Sequence, residues 1–558
     1  MKPFDSNGNF QPSANGSAEF RRLAVRGAGV TVFSQGVSLV VQMAATVVLA
    51  RLLVPADFGV VAMVVSFSLL FKSLPGFTEA VLQWETIDRY LVSNLFWVCT
   101  GVGVLLTAGF AAAGSLLAWF YGDPRVALIA VVVSLQILIS STSNLHLALL
   151  QRAMRFPEVS ANQVLARTVS VVISIALAFA GWGYWALVAG ILAFPLSRSI
   201  GAWCLCRWIP SLPRRKPETA AMLRFVLNVY GRFNIDYLAH NMDNVLVGWR
   251  FGAQPLGLYK KAYDLFALPS SLVMQPLQSV AVAALSRLKQ DPALYRRYLL
   301  RGLAVTALLG MGLGADLTLV GHDLIALLLG PKWEESGRIF TLLGPGIGLM
   351  FLYGAHCWIH LSIGSANRFF RWGLIEFVVT CLLFATGLSW GPEGIAVAWT
   401  TSYGLLIIPA FWYAGRPIRL GINAVVAAVW KYALASVVAG CATAIAVQIL
   451  PLDTAGSGLV GLSIHVVGIS ALFLTLYLAA VILLHGGWDP LVQFAMLGRE
   501  MLVPRLKARF APVVVQPHMR AADSPSFQIQ PEEAALSGGV TQMEKRDHGM
   551  EIRKRKEK

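Results

Sequence analysis

The chain has 558 residues, of which 56% are hydrophobic and only 13% are charged. An average soluble protein carries about 25% charged residues, so this chain lacks the polar surface that a soluble globule of its length needs. The composition excludes soluble-enzyme folds and predicts an all-α polytopic membrane protein. The net charge of +16 lies mostly in short loops between apolar segments, which favours membrane topology over nucleic-acid binding as its cause.

The N-terminal residues 1–20 are rich in Ser, Asn and Gly, which predicts a disordered cytoplasmic tail. Fourteen apolar segments follow, each with about 18 residues or more and therefore able to span a bilayer. Their predicted bounds are 28–50, 57–83, 92–121, 124–150, 163–181, 184–206, 225–249, 258–285, 300–320, 339–362, 372–389, 394–414, 430–450 and 462–485. Segment 322–330 is too short to span, and we expect it to lie at the interface or to extend a neighbouring helix.

Basic and proline-rich breaks in this series predict the domain organisation. The predicted parts are an N-lobe over 21–206, a cytoplasmic linker over 207–224, a C-lobe over 225–414, two extra helices over 430–485, and a cytoplasmic tail over 486–558. The first part of that tail alternates apolar and basic residues, which is typical of an interfacial helix, and its remainder is expected to be disordered.

Loop charge predicts the orientation, because cytoplasmic loops of membrane proteins are enriched in Lys and Arg. With a cytoplasmic N-terminus, the predicted inner loops hold 18 Lys and Arg residues and the outer loops hold 5. The asymmetry predicts a multi-pass protein of the bacterial inner membrane with both termini in the cytoplasm.

Two stretches of the chain resemble each other at an offset of 198 residues: ARLLVPADFGVVA over 50–62 and GWRFGAQPLGLYK over 248–260. Ungapped alignment pairs Ala50 with Gly248 and Gly59 with Gly257. Each stretch ends an odd-numbered span and begins the next, with six spans between equivalent positions. An even number of spans preserves orientation, so the pattern predicts two six-helix lobes related by a parallel pseudo-twofold axis along the membrane normal.

Ionisable groups inside the membrane are costly and usually face a cavity or a partner. The seventh span places several polar residues at i, i+4 steps on one stripe, which is interpreted as a polar cavity wall. An internal Arg232–Asp236 ion pair is the structural alternative, and a helix-packing pair is the alternative for Lys72 and Glu79. The candidate substrate-binding residues are Lys72, Asn228, Arg232, His240, Lys260, Lys261 and Gln275. The candidate coupling or ion-pair residues are Glu79, Asp236, Asp243 and Asp264.

Other polar residues of the predicted spans are not assigned to substrate binding. Arg51 and Arg250 are expected to snorkel to the headgroups, and Asp316 and Glu376 are expected either to line the cavity or to be paired. His356 and His360 form an i, i+4 pair without an intervening acid, so a packed or cavity-facing pair is expected rather than a metal site.

The short outer loops and the absence of a GxxxxGK[ST] phosphate loop argue against a polymerase-type enzyme and against ATP hydrolysis. We therefore expect a carrier that is not an enzyme and needs no cofactor.

Three parts of the chain resemble Wzx-type polysaccharide flippases of the multidrug/oligosaccharidyl-lipid/polysaccharide exporter superfamily. They are the stretch LARLLVPADFGVVAMVVSF, the region from Asp243 to Arg301 and the segment LIALLLGPKWEESGRIFTLLGP. The resemblance covers roughly residues 25–420. It implies a two-lobed, alternating-access carrier for undecaprenyl-diphosphate-linked oligosaccharide in exopolysaccharide, O-antigen (lipopolysaccharide) or capsule biosynthesis. The implied partners are the lipid-linked substrate, membrane lipids, a coupling proton or sodium ion, and a polysaccharide polymerase or export machinery.

Three alternatives stay open at this point. A lipid II-type precursor flippase is a close relative that the sequence separates poorly. A drug or cation antiporter of the same superfamily is disfavoured because the first span lacks an acidic residue. A membrane sugar-transfer enzyme is disfavoured because no outer loop is large enough to hold an acceptor.

The topology is open to a direct test. With fourteen spans and a cytoplasmic N-terminus, a reporter fused after Lys216 should report the cytoplasm and one fused after Gly456 should report the periplasm. The opposite result at either fusion site would refute the assignment, because the count depends on loop parity.

Overall fold

The computed structural model describes residues 3–11, 17–72, 75–84, 86–214, 216, 218–227, 241–449, 458–492, 494 and 496. Long helices account for nearly all of this part of the chain, and its only β-type pairing consists of two isolated bridges near the N-terminus. Helices satisfy their own backbone hydrogen bonds, which is what a chain in lipid requires. The predicted all-α fold is confirmed.

The first half of the chain contains nine helices within the described residues. They are α1 (Ser17–Leu52), α2 (Pro55–Lys72), α3 (Pro75–Gln83), α4 (Arg89–Tyr121), α5 (Arg125–Ser141), α6 (Asn144–Arg152), α7 (Phe156–Phe179), α8 (Tyr184–Leu205) and α9 (218–227).

The second half contains ten further helices among the described residues. They are α10 (Met242–Phe251), α11 (Ala253–Pro269), α12 (Gln275–Arg287), α13 (Pro292–Leu329), α14 (Glu334–Gly354), α15 (His356–Ile363), α16 (Ala366–Gly387), α17 (Gly391–Gly415), α18 (Ile422–Ile449) and α19 (Leu459–His485). A π-helical turn, Ser270–Met274, joins α11 to α12 directly after Pro269.

Eleven helical stretches in the described residues are long and apolar enough to cross a membrane, which makes this a multi-pass membrane protein. One of them, Asn367–Ile418, contains both α16 and α17, and α2 is too short to be counted. The predicted total of fourteen spans therefore remains a prediction. The short segment 322–330 extends α13, as one of its two interpretations predicted.

The N-terminus differs from the sequence prediction. Residues 3–11, expected to belong to a disordered tail, form a small turn in which Phe4 pairs with Phe10 and Asn9 pairs with Asp88. The Phe4 ring lies 6.0 Å from the ring of Trp208. Composition misled the prediction because two aromatic residues in a polar stretch are enough to anchor it against an apolar surface.

The helices pack as two groups. In the first half, α7 packs against α1 and α8, and α5 packs against α2, α4 and α8. In the second half, α14 packs against α11, α13 and α17, while α18 and α19 pack onto α13. Small residues allow close contacts of this kind: a methyl group on Gly314 of α13 would lie 3.0 Å from the carbonyl oxygen of Gly344 on α14.

The two halves meet where α2 packs against α11, and this contact is symmetric. A methyl group on Gly59 would lie 1.6 Å from the carbonyl oxygen of Ala253, and one on Gly257 would lie 1.9 Å from that of Pro55. At the offset of 198, Gly59 is equivalent to Gly257 and Pro55 to Ala253. Gly59 contacts Ala253, and its equivalent Gly257 contacts Pro55, which is the equivalent of Ala253. A twofold axis through this interface would produce such a reciprocal pair of contacts.

Aromatic residues also join the two halves at the helix ends around this contact. Ala50 accepts a hydrogen bond from the indole nitrogen of Trp333 at 2.8 Å, and its equivalent, Gly248, packs against Tyr121. Trp333 follows α13 and Tyr121 ends α4, so each half places an aromatic residue against the small residue of the other. The predicted repeat thus has a structural counterpart at this interface.

This interface predicts an asymmetric effect of two Gly→Ala substitutions. Gly59→Ala should lower the melting temperature of the purified protein, because its methyl group would overlap backbone that cannot move aside, at a cost of about 1–3 kcal/mol or more. Gly101→Ala is the matched control, since a methyl group there meets nothing within 4 Å. Equal melting temperatures for the two variants would contradict the described contact.

Candidate functional site

The polar stripe predicted on the seventh span is only partly within the described structure. Four of its residues lie outside the described part of the chain: Asn228, Arg232, Asp236 and His240. The side chain of Lys72, the last residue of α2, also lies outside it. The stripe continues into the described α10 with Asp243 and Asn244, and both are buried. The predicted meeting of Arg232 and Lys72 in one central space remains a prediction.

Asp243 is the centre of a buried hydrogen-bond network. One carboxylate oxygen accepts a hydrogen bond from the hydroxyl of Tyr259 at 2.7 Å and from the indole nitrogen of Trp399 at 3.1 Å. The other accepts from the backbone nitrogen of Asn244 at 2.7 Å. This network ties α10 to α11 and α17. Within the described residues, this carboxylate accepts hydrogen bonds from neutral donors and forms no salt bridge.

The two adjacent lysines of α11 have different surroundings. Lys260 forms a salt bridge with Asp264, one turn further along the helix, at 2.7 Å. Lys261 is buried, and its ammonium lies 4.2 Å from the ring centroid of Phe58 on α2. Lys261 therefore reaches across the contact between the two halves, and within the described residues no carboxylate forms a salt bridge with it.

The polar residues of the eighth span do not share one face, because Lys261 lies apart from the others. Asp264, Ser271 and Gln275 are exposed, whereas Lys261 is buried against α2. Successive residues of a helix differ by about 100° in direction, so Lys260 and Lys261 could not both follow the same stripe. Gln275 also lies beyond the π-helical turn, a feature that often marks functional positions in helices.

The remaining intramembrane acids are mostly paired. Asp316 accepts a hydrogen bond from Ser470 of α19 at 3.2 Å, which supports the paired interpretation. Glu376 lies within hydrogen-bonding reach of Tyr353. Glu79 is half-buried on α3, and its Oε2 has no hydrogen-bond partner among the described residues.

Arg51 binds the end of another helix, and its predicted snorkelling to the headgroups remains a prediction. It donates hydrogen bonds to the carbonyl oxygens of Leu327 at 2.7 Å and Leu328 at 3.3 Å, the last turn of α13. These carbonyls have no partner within their own helix, and a guanidinium there also faces the negative end of the helix dipole. Arg250 lies with its guanidinium 5.8 Å from the ring of Phe251.

His356 and His360 are packed, as predicted. The Nδ1 of His356 lies 2.5 Å from the carbonyl oxygen of Tyr353, and the Nδ1 of His360 lies 3.2 Å from the hydroxyl of Ser365. Groups of three or more potential metal ligands do not occur in the part of the chain that the structure describes.

Sequence reasoning missed the aromatic residues that hold the site. Tyr259 and Trp399 bind Asp243, the Tyr263 ring lies 5.6 Å from that of Trp399, and Phe58 faces Lys261. Tyr259, Tyr263 and Phe266 recur at helical spacing on α11, a pattern that marks one face of that helix. The pattern could have identified the face, although not its partner on α17.

Comparison with known proteins places these features in context. The sequence model of a family described as polysaccharide biosynthesis protein matches residues 48–338. The chain is 23% identical over 381 residues to the succinoglycan biosynthesis transport protein ExoT of Rhizobium meliloti, covering 68% of this chain and 77% of that one.

Two solved structures share the fold. One is titled lipid II flippase MurJ in an inward closed conformation, with a TM-score of 0.64 and 13% identity, covering 84% of this chain and 100% of that chain. Another is an inward-facing multidrug resistance MATE family transporter of the MOP superfamily, with a TM-score of 0.55 and 12% identity, covering 68% of this chain and 94% of that chain. The chain therefore has the fold of these two structures.

The network around Asp243 predicts that removing this carboxylate lowers thermal stability much more than removing that of Asp264. Asp243→Ala should strongly lower thermal stability, since it leaves the buried Tyr259 and Trp399 donors without an acceptor, at about 1–3 kcal/mol for each. Asp264→Ala is the control and removes only a partly exposed ion pair, worth about 0.2–1 kcal/mol. Melting of the purified variants in detergent measures the difference, and equal losses would contradict the structural role of Asp243.

Proposed function

Because the chain belongs to the polysaccharide biosynthesis protein family, we propose that it is a flippase for lipid-linked oligosaccharide. Its substrate is an undecaprenyl-diphosphate-linked repeat unit, which it moves from the cytoplasmic to the periplasmic leaflet for exopolysaccharide, O-antigen or capsule biosynthesis. The similarity to the succinoglycan biosynthesis transport protein of Rhizobium meliloti supports this assignment.

The observation that carries the proposal is the position of Lys261. Its ammonium is buried between the two halves and is faced by an aromatic ring. A buried charge is costly unless it is compensated, and an anionic substrate that passes between the halves would supply the compensation. A diphosphate has the charge and the acceptor oxygens that a Lys or Arg site binds well.

The contact between the halves suits alternating access. Gly59 and Gly257 bring two backbones together without interlocking side chains. Parting the halves at these two positions separates backbone from backbone, and elsewhere it breaks the hydrogen bond of Trp333 to Ala50 and withdraws Lys261 from Phe58. By the loop-charge prediction this contact lies toward the periplasm, and its opening would release the substrate there.

Further residues, several of them outside the described structure, complete the proposed site. Arg232 binds the diphosphate, Asp236 holds its guanidinium, and Asn228 and His240 on the same predicted stripe bind sugar hydroxyls. Lys72, Lys260 and Gln275 extend the site, while Glu79, Asp236, Asp243 and Asp264 are the carboxylates available to link transport to a proton or sodium ion. No covalent chemistry is required.

The proposal includes a location and partners. The protein resides in the bacterial inner membrane with both termini in the cytoplasm, as the Lys and Arg asymmetry of its loops indicates. A polysaccharide polymerase takes over the substrate once it reaches the periplasmic leaflet.

A lipid II-type precursor flippase is the second candidate, and the shared fold with MurJ is the observation that favours it. The two candidates carry the same diphosphate on different saccharides. Depletion of the protein distinguishes them, since loss of a lipid II flippase stops wall synthesis and lyses cells. A drug antiporter is also favoured by a shared fold, that of the multidrug resistance MATE family transporter, but the first predicted span of this chain lacks an acidic residue for cation coupling. A sugar-transfer enzyme has no comparable supporting observation.

The proposed diphosphate contact is tested by polysaccharide export in a deletion strain, normalised to protein level in the membrane. Arg232→Ala should reduce substrate affinity about tenfold to a hundredfold, because a charge-assisted contact is worth about 1.5–3 kcal/mol. Arg232→Lys should retain partial export, since it keeps the charge without the bidentate fork. Asp236→Asn tests coupling, because it keeps the shape and removes the titrating group.

Arg224→Ala is the matched control, because Arg224 is exposed on α9, close to the same span. It should export normally. Full export by Arg232→Ala at normal protein level would contradict the proposed contact. In that case Lys261→Met, which keeps the length but not the charge, tests the buried ammonium in the same assay.

A further inference from the structure

A basic groove lies between the beginning of α13 and the beginning of α18, away from the contact between the two halves. It encloses about 560 Å³. Its polar wall consists of four arginines: Arg296, Arg297, Arg301 and Arg419. Its remaining wall is formed by short or apolar residues, including Leu300, Ala304 and Ala424.

The groove has no acidic wall residue to neutralise its arginines. The carboxylate nearest in sequence, Asp291, caps α13 by accepting hydrogen bonds from the backbone nitrogens of Ala293 and Leu294, both at 3.0 Å. Arg297 and Arg301 are exposed and form no salt bridge or side-chain hydrogen bond within the described residues. Their guanidinium groups are therefore available to an external anion.

The geometry of the groove is fixed by its backbone. Arg419 adopts the left-handed conformation with φ of 52°, which is uncommon for a residue other than glycine. Its carbonyl oxygen accepts a hydrogen bond from Arg296 at 3.2 Å, and the next residue, Leu420, is buried in the core. These contacts hold the turn before α18 against α13, so the groove is a formed site.

Two tryptophans indicate that this end of the bundle lies at headgroup depth. Trp412 near the end of α17 is 51% exposed, and Trp430 in the third turn of α18 is 46% exposed. Exposed tryptophans are enriched at membrane–water interfaces. Arg416, in the same turn as Arg419, lies 3.7 Å from the ring centroid of Trp412. By loop charge this end is predicted to be cytoplasmic.

We propose that this groove binds the headgroup of an anionic phospholipid. The arginines bind the phosphate, and the apolar wall accommodates the first part of the acyl chains. A basic pocket between membrane helices on the cytoplasmic side has the chemistry that anionic headgroups require. A soluble phosphate would use the arginines but would leave the apolar wall exposed, so the lipid fits both surfaces.

The experiment uses the purified full-length protein in detergent. Phosphatidylglycerol, phosphatidylcholine or inorganic phosphate is titrated in separate arms, and thermal stability and lipid retention by native mass spectrometry are recorded. The test variant is Arg297→Gln with Arg301→Gln. The control is Arg207→Gln with Arg224→Gln, which removes two exposed arginines from the same predicted face outside the groove.

The wild type and the control should retain phosphatidylglycerol and be stabilised by it, with little response to phosphatidylcholine. The test variant should bind phosphatidylglycerol roughly thirtyfold more weakly, since each arginine near the headgroups contributes on the order of 1 kcal/mol. Equal retention by the wild type and the test variant would overturn the proposal, as would an equal loss in the control. Stabilisation by inorganic phosphate to the same extent as by the lipid would also overturn it, in favour of a soluble anion.

Discussion

The close approach of two helix backbones at Gly59 and Gly257 is the constraint on which the arrangement of the two halves depends. Each glycine touches backbone of the opposite half at a distance that no side chain could occupy. Because the two contacts are equivalent under the internal repeat, one geometric requirement fixes both. It also brings Phe58 over Lys261 and places Trp333 and Tyr121 against Ala50 and Gly248. A larger residue at either glycine would displace all of these neighbours together.

The contacts within each half are of a different kind. Asp243 joins α10, α11 and α17 through three hydrogen bonds in a buried setting, and breaking these would leave polar groups unsatisfied. The contact between the halves is carried by small residues and has no comparable network at its centre. Under the proposed function this difference is useful, since each half stays intact while the surface between them opens and closes. Motions of this kind occur between packed units rather than within them.

The sequence predicted those features that depend on local periodicity and failed on those that depend on tertiary contact. Hydropathy located the helices because the bilayer imposes a minimum apolar length. The ion pair of Lys260 with Asp264 can be predicted from the sequence, because the two residues are one helical turn apart. The repeat identified Gly59 and Gly257 as equivalents, yet equivalence does not reveal that each would touch Ala253 or Pro55. The partner of Asp243 on α17 is 156 residues away, beyond any local pattern. The left-handed Arg419 and the turn at 3–11 likewise depend on neighbours that only the fold brings near.

Topology explains most of the positive charge of this protein but leaves Lys261 unexplained. The excess of Lys and Arg in the predicted inner loops is what the predicted cytoplasmic N-terminus would require. Lys261 is buried at the contact between the halves, where a methionine would pack against Phe58 with less desolvation. Its equivalent in the first half at the offset of 198 is Met63, which is buried and apolar. The same position of the repeat therefore tolerates an uncharged residue, and the fold alone does not require the ammonium. Under the proposed function the substrate passes between the halves, and its diphosphate would supply the partner that this charge lacks among the described residues.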